Sequence, residues 1–133
     1  MSLRRREVEA APADTVKAVV QALGERGLKV YAVIDHRKEI EGSGSMPFTA
    51  FSILFGSASL SSMLLGKNTE ISVGLPLVMA VVEKGGMSVI TYRDAHSLLS
   101  DFQLVSTEDT ANLVNRIMDG IVESAASYAA GNG

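Results

Sequence analysis

Leu28-Lys29-Val30-Tyr31-Ala32-Val33-Ile34-Asp35-His36 reads as a β-strand that ends in an aspartate and one of only two histidines in the chain. Val, Ile and Tyr suit a pleated, half-buried surface. The near-continuous apolar content predicts a strand with both faces at least partly covered. A strand end holds a polar side chain still, so Asp35 and His36 mark where chemistry would be positioned.

On the N-terminal side of this strand, Gly27 supplies the left-handed stop of a preceding helix. That helix is expected over 14–26, with Asp14 as its cap and Val16, Val19, Val20 and Leu23 spaced i, i+3, i+4, i+7. Residues 4–10 alternate weakly and predict an edge strand closed by Pro12. Arg4, Arg5 and Arg6 beside Glu7 and Glu9 read as a solvated face that discourages pairing with other chains.

On the C-terminal side, Arg37-Lys38-Glu39-Ile40-Glu41 predicts a short helical turn, and Gly42-Ser43-Gly44-Ser45 a mobile loop. Pro47 reopens extended structure. Phe51, Ile53 and Phe55 alternate with Ala50, Ser52 and Leu54, giving a strand over 49–55. Ser57 is expected to cap a short helix over 58–65, and Gly66 to end it. Residues 69–74 read as a short helix or irregular segment. Leu77–Glu83 and Met87–Arg93 form a hairpin through Lys84-Gly85-Gly86. Asp94 caps a helix over 95–100. Ser106-Thr107-Glu108-Asp109 starts a long helix reaching about residue 130, with Val114, Ile117, Met118, Ile121 and Val122 as its apolar stripe.

This order specifies an α+β class: a largely antiparallel sheet of about five strands, with two long helices packed on one face. Residues 4–130 are expected to form a single domain, since 133 residues suffice to bury a core without disulfides. The other sheet face then needs a cover. With a mean hydropathy of +0.22, pairing of two subunits is expected to supply part of it, through that face or the 57–66 helix.

Composition removes whole classes of function. No cysteine means no disulfide, thiolate nucleophile or cysteine-ligated metal, and fits a reducing cytoplasm. A net charge of −3 offers no long-range attraction to nucleic acid or anionic lipid. Tyr31, Phe48, Phe51, Phe55, Tyr92 and Phe102 are spaced as core residues rather than interleaved with basic ones, so no nucleic-acid partner is expected. No window approaches the roughly 18 to 20 apolar residues of a membrane span. The start lacks the apolar stretch of a secretory signal, so a cytoplasmic location is expected.

The segments Tyr31-Ala32-Val33-Ile34-Asp35-His36, Leu54-Phe55-Gly56, Met63-Leu64, Gly74-Leu75-Pro76-Leu77-Val78-Met79-Ala80-Val81-Val82-Glu83 and Val89-Ile90-Thr91-Tyr92-Arg93-Asp94 carry a resemblance in their succession. In order and spacing the chain resembles the domain of unknown function family 302, over roughly residues 4 to 125. That resemblance implies a compact α+β domain of the TATA-binding-protein-like kind, often dimeric, bacterial or archaeal, with no established activity. The family's Ile-Asp-His element is matched by Ile34, Asp35 and His36. Ser57-Ala58 and Gly74 depart from it, standing where relatives tend to have Asn-Pro and an acidic residue; any site built on those residues is altered here. A TATA-binding-like fold by itself carries no implication of DNA binding.

His36 is the candidate catalytic residue, as a general acid or base. Asp35 is a poor orienter for it, because adjacent strand residues point to opposite faces; Glu39 or Glu41, folding back, would be better placed. His36 and His96 with Asp35 or Asp94 fall short of the three or four converging ligands a metal needs, so no metal site is expected and no cofactor is specified. Ser57, Ser59, Ser61 and Ser62 lack the Gly-x-Ser-x-Gly elbow and fit a helix cap better, though the same helix N-terminus could hold an anion. Asp35, His36, Arg37 and Ser57 are the candidate ligand-binding residues. The expected function is a dimeric small-molecule-binding or regulatory module; the alternative is an enzyme acting on a small substrate through His36.

Overall fold

The computed structural model describes residues 2–44, 48–102 and 108–131. Five strands, β1 (Leu3–Val8), β2 (Lys29–Asp35), β3 (Ala50–Gly56), β4 (Leu77–Lys84) and β5 (Met87–Arg93), form one sheet in the order β1-β5-β4-β3-β2. Every neighbouring pair is antiparallel. The helices are α1 (Pro12–Glu25), α2 (His36–Glu39), α3 (Ala58–Leu65), α4 (Ala95–Ser100) and α5 (Glu108–Gly131), with a 3-10 turn over Thr69–Gly74. The expected α+β architecture is therefore the observed one. Ser45, Pro47, Ser106 and Thr107, which carried the loop, strand-opening and helix-start expectations, lie outside the described residues.

Local signals explain most element ends. Gly85 and Gly86 both have positive φ, which L side chains rarely adopt, and they close the β4–β5 hairpin. Ser57 Oγ accepts the Leu60 N–H at 3.1 Å, and Asp94 Oδ2 accepts that of Ser97 at 3.2 Å. The start of α1 corrects the sequence reading. Pro12 does not close β1; it opens α1 at its first position, where its missing N–H costs nothing and its fixed φ is already helical. Asp14 then lies in the first turn, and Ala11 is the cap residue, with no side-chain hydrogen bond.

Alternation along the strands sorts two faces. Ile53, Phe55, Met79, Val81 and Ile90 are wholly buried beneath α1 and α5, with Val19, Ala22, Leu23, Val114, Ile121 and Ala125. The opposite face carries Ile34, Leu54, Ala80, Val82 and Val78, the last 43% exposed. Neither α1 nor α5 covers it, and the short α2 reaches it only through His36 on Ser52. β2 corrects a second expectation. Its apolar run predicted that both faces are at least partly covered, yet β2 is an edge strand of the sheet, bulged between Val30 and Ala32, with Tyr31 and Val33 exposed. The bulge and the charged ends of β2 blunt the edge that its composition leaves open.

Candidate functional site

The β2–β3 register builds the first constellation. Asp35 pairs with Phe51 and Ile34 with Ser52, so Ser52 shares the helix-free face with Ile34. Chain direction changes at Asp35, whose carboxylate caps α2 by accepting the N–H groups of Arg37 at 3.0 Å and Lys38 at 3.3 Å. Asp35 is thus spent on the turn rather than on His36, and the turn swings the imidazole back over the sheet. His36 Nε2 lies 2.7 Å from Ser52 Oγ and Nδ1 lies 3.1 Å from Glu39 Oε1. Glu39, one helical turn onward, is the orienting carboxylate.

These contacts fix polarities. An ionised carboxylate only accepts, so Nδ1–H donates to Glu39; in the neutral ring that tautomer leaves Nε2 as an acceptor for the Ser52 hydroxyl. The His36 side chain is 36% exposed, which leaves the assembly open to solvent. Arg37 extends along the same turn, its Nη1 3.5 Å from Thr49 Oγ1. Sequence reasoning missed Ser52. The signal available was a polar residue interrupting Ala50-Phe51-Ser52-Ile53-Leu54-Phe55, but its partner across the sheet depends on register.

Ser57 is not part of this group. Gly56 pairs with Lys29, at the far end of β2 from Asp35, so Ser57 stands six residues, roughly 20 Å, from the His36 end. There it borders a groove of about 580 Å³ with Arg26, Leu28, Leu60, Met63 and Ile117. Its Oγ is engaged by the Leu60 N–H. The structure brings Asp35, His36 and Arg37 together and leaves Ser57 apart.

His96 also lies far from His36. It follows β5, three interstrand spacings or about 14 Å sideways from β2, and beyond the opposite end of the sheet. Two histidines so disposed cannot share an ion, whose ligands lie about 2 Å from it. Among the described residues, no group of three His, Asp or Glu side chains is arranged to hold a metal.

His96 belongs to a second polar constellation with a structural task. Asn115, 5% exposed on α5, accepts the Ala95 N–H at 2.8 Å and donates to Asp94 Oδ1 at 3.0 Å and His96 Nδ1 at 3.2 Å. Arg4 bridges Asp94 at 3.0 Å and Asp119 at 2.7 Å, and Asp119 accepts the Tyr92 hydroxyl at 2.7 Å. The network ties β1, the β5–α4 turn and α5 together. Burial would push the Asp94 carboxyl upward, but hydrogen bonds from Ser97, Asn115 and Arg4 outweigh it and hold the group below its ordinary range. Burial and the Asp119 carboxylate keep the Tyr92 phenol protonated well above its ordinary range.

Among curated proteins no sequence matches this chain. Among solved structures, the crystal structure of an uncharacterized conserved DUF302 protein from Bacillus stearothermophilus is similar at a TM-score of 0.87. It is 13% identical, and the match covers 94% of this chain and 98% of that one, which shows the shared fold. The family model of the domain of unknown function DUF302 matches residues 4–125, carrying the Ile34-Asp35-His36 turn, the β3 strand with Ser52 and the β4–β5 hairpin. The chain belongs to the DUF302 family.

Proposed function

We propose that this chain is a homodimeric small-molecule-binding or regulatory module, in which residues 4–130 act as one domain and the ligand is held by His36 and Ser52 beside the open sheet face. The observation that carries this reading is the His36 ring, fixed at both nitrogens by Ser52 and Glu39 and still part-exposed. Small-molecule sites combine apolar walls with a few oriented polar groups. Ile34, Leu54 and Ala80 supply the apolar surface next to Ser52. Asp35 supports the site by holding α2, and Arg37 adds a cation to it. Ser57 acts as a helix cap.

A second copy covers the open face around Val78, which is 43% exposed. The cysteine-free composition fits a cytoplasmic location, and the net charge of −3 disfavours nucleic acid. No helix among the described residues is long and apolar enough to cross a membrane.

Native mass spectrometry of freshly purified protein tests both parts. The expected species is twice the 14.1 kDa chain, carrying a stoichiometric extra mass that His36→Ala loses. Val78→Glu should shift the population to monomer. An empty monomer in the wild type would refute the reading.

The oriented imidazole also favours a second reading, an enzyme that uses His36 as general acid or base on a small substrate. Turnover that follows the titration of His36 and disappears in His36→Gln would separate it from simple binding.

A further inference from the structure

We infer that Ser52 is a nucleophile, activated by His36 and Glu39, that takes up the acyl group of an ester whose apolar acyl chain lies along the open sheet face. This deepens the enzyme reading and rests on it.

Nucleophile activation needs a hydroxyl that donates to a neutral imidazole nitrogen, and a group that fixes the ring in the matching tautomer. Ser52 Oγ is 2.7 Å from Nε2, and Glu39 Oε1 is 3.1 Å from Nδ1. With the ring neutral and Nδ1–H donating to that acceptor-only carboxylate, Nε2 is left as the acceptor for the Ser52 hydroxyl. The three residues come from two elements and lie 13 and 16 positions from Ser52 in sequence, so the tertiary fold, not a local motif, assembles them.

Ser52 is rigid because β3 is paired on both sides, with Ile34 across from it on β2 and Ala80 on β4. Along the same face Ile34, Leu54 and Val82, beside the part assigned to the second copy, offer an apolar surface to an acyl chain. The reaction that fits is ester hydrolysis through an acyl-serine. Ser52 Oγ bonds to the carbonyl carbon while its proton passes to Nε2. The carbon–oxygen bond to the alcohol then breaks, and the alcohol leaves with that proton. Water attacks the acyl-serine, gives its proton to Nε2, and releases the carboxylic acid while Ser52 Oγ recovers the proton.

The sheet also sets the rate regime. Strand N–H groups on both sides of Ser52 are committed to the ladder, so the tetrahedral oxyanion faces solvent rather than a pair of amides. One such donor contributes about a hundredfold to a thousandfold in rate. Activated esters should therefore acylate the protein and turn over slowly, with the acyl-enzyme accumulating.

The test is to mix the protein with p-nitrophenyl butyrate, follow p-nitrophenolate release, and measure intact and peptide mass. The expected result is a burst of about one equivalent per chain with a butyryl group on Ser52. Ser52→Ala should abolish it, and His36→Gln should slow acylation by about a hundredfold or more. Glu39→Gln should shift the pH profile of the burst. Thermal melts of each variant establish that it is folded. If the burst survives Ser52→Ala but not His36→Gln, or the butyryl group is found on His36, the Ser52 assignment is overturned and the His36 reading stands. If release is unaffected by both variants, both are overturned. If the wild type shows no burst and Ser52→Ala only lowers the melting temperature, the hydrogen bond merely fastens α2 to the sheet and the proposal fails.

Discussion

Asn115→Ala should be among the most costly single polar truncations in this fold. The side chain is 5% exposed and serves three partners at once. Its removal strands the buried Ala95 N–H, which costs about 1–3 kcal/mol, and takes one donor from the Asp94 carboxylate, a charge-assisted bond of about 1.5–3 kcal/mol. Asp94 keeps Ser97 and Arg4, so the second contribution belongs at its lower end. A net loss of about 3 kcal/mol follows. With an unfolding entropy of about 0.28 kcal/mol/K for a chain of this length, the melting temperature should fall by about 10 °C.

The same experiment carries an internal check in pH. Asp94 is held below its ordinary carboxylate range in the fold. A depressed carboxylate contributes stability that is present above its unfolded pKa, near 4, and lost as pH falls through the folded value. The wild type should therefore lose stability on acidification below about pH 4. Asn115→Ala has less of this contribution to lose, so the gap between the two proteins should narrow in acid. Circular-dichroism melts from pH 7 to pH 3 measure both quantities. A fall of under about 2 °C at pH 7 would refute the assigned role of Asn115, and a gap that stays constant with pH would refute its bond to Asp94.

Three further outcomes are expected. Gly24→Ala, inside α1 with nothing within 4 Å of the added Cβ and no positive φ, should stabilise the fold by about 0.5–1 kcal/mol in urea unfolding. Ser57→Ala removes the α3 cap and should cost about 1 kcal/mol, whereas Ser57→Gly should cost only a few tenths; a loss well beyond this, or any effect on the Ser52 burst, would contradict its reading as a cap apart from the His36 site. Met79→Ala, wholly buried on the central strand, should cost about 2–5 kcal/mol by the same melts, and a smaller loss would mean that α1 and α5 close over the void.

Much of the candidate site was legible along the chain. The strand ending at Asp35-His36, the helical turn after it and Glu39 as the nearby carboxylate are all local, because a helical turn sets the i, i+3 geometry that joins His36 to Glu39. The grouping of Ser57 with Asp35, His36 and Arg37 was not sound. Both lie at strand ends, but an antiparallel pairing puts the end of β3 beside the start of β2. Nothing in either segment's composition reports that direction.

What short-range physics controls can be read directly along the chain. Glycines requiring positive φ closed the hairpin and ended α1, Ser57 and Asp94 capped their helices, and apolar period specified α1, α5 and the strands. The missing cysteines and the acidic balance excluded thiol chemistry and long-range attraction to polyanions. That β2, despite its apolar run, is an edge strand follows from the pairing order, because edge or centre is a property of how strands associate and not of any one segment. The same arrangement brings Ser52 to 2.7 Å from His36, 16 residues away in the chain, and lets Arg4 bridge Asp94 and Asp119. Register selects which side chains share a face, and a shift by one residue would turn Ser52 away from His36 and toward the core.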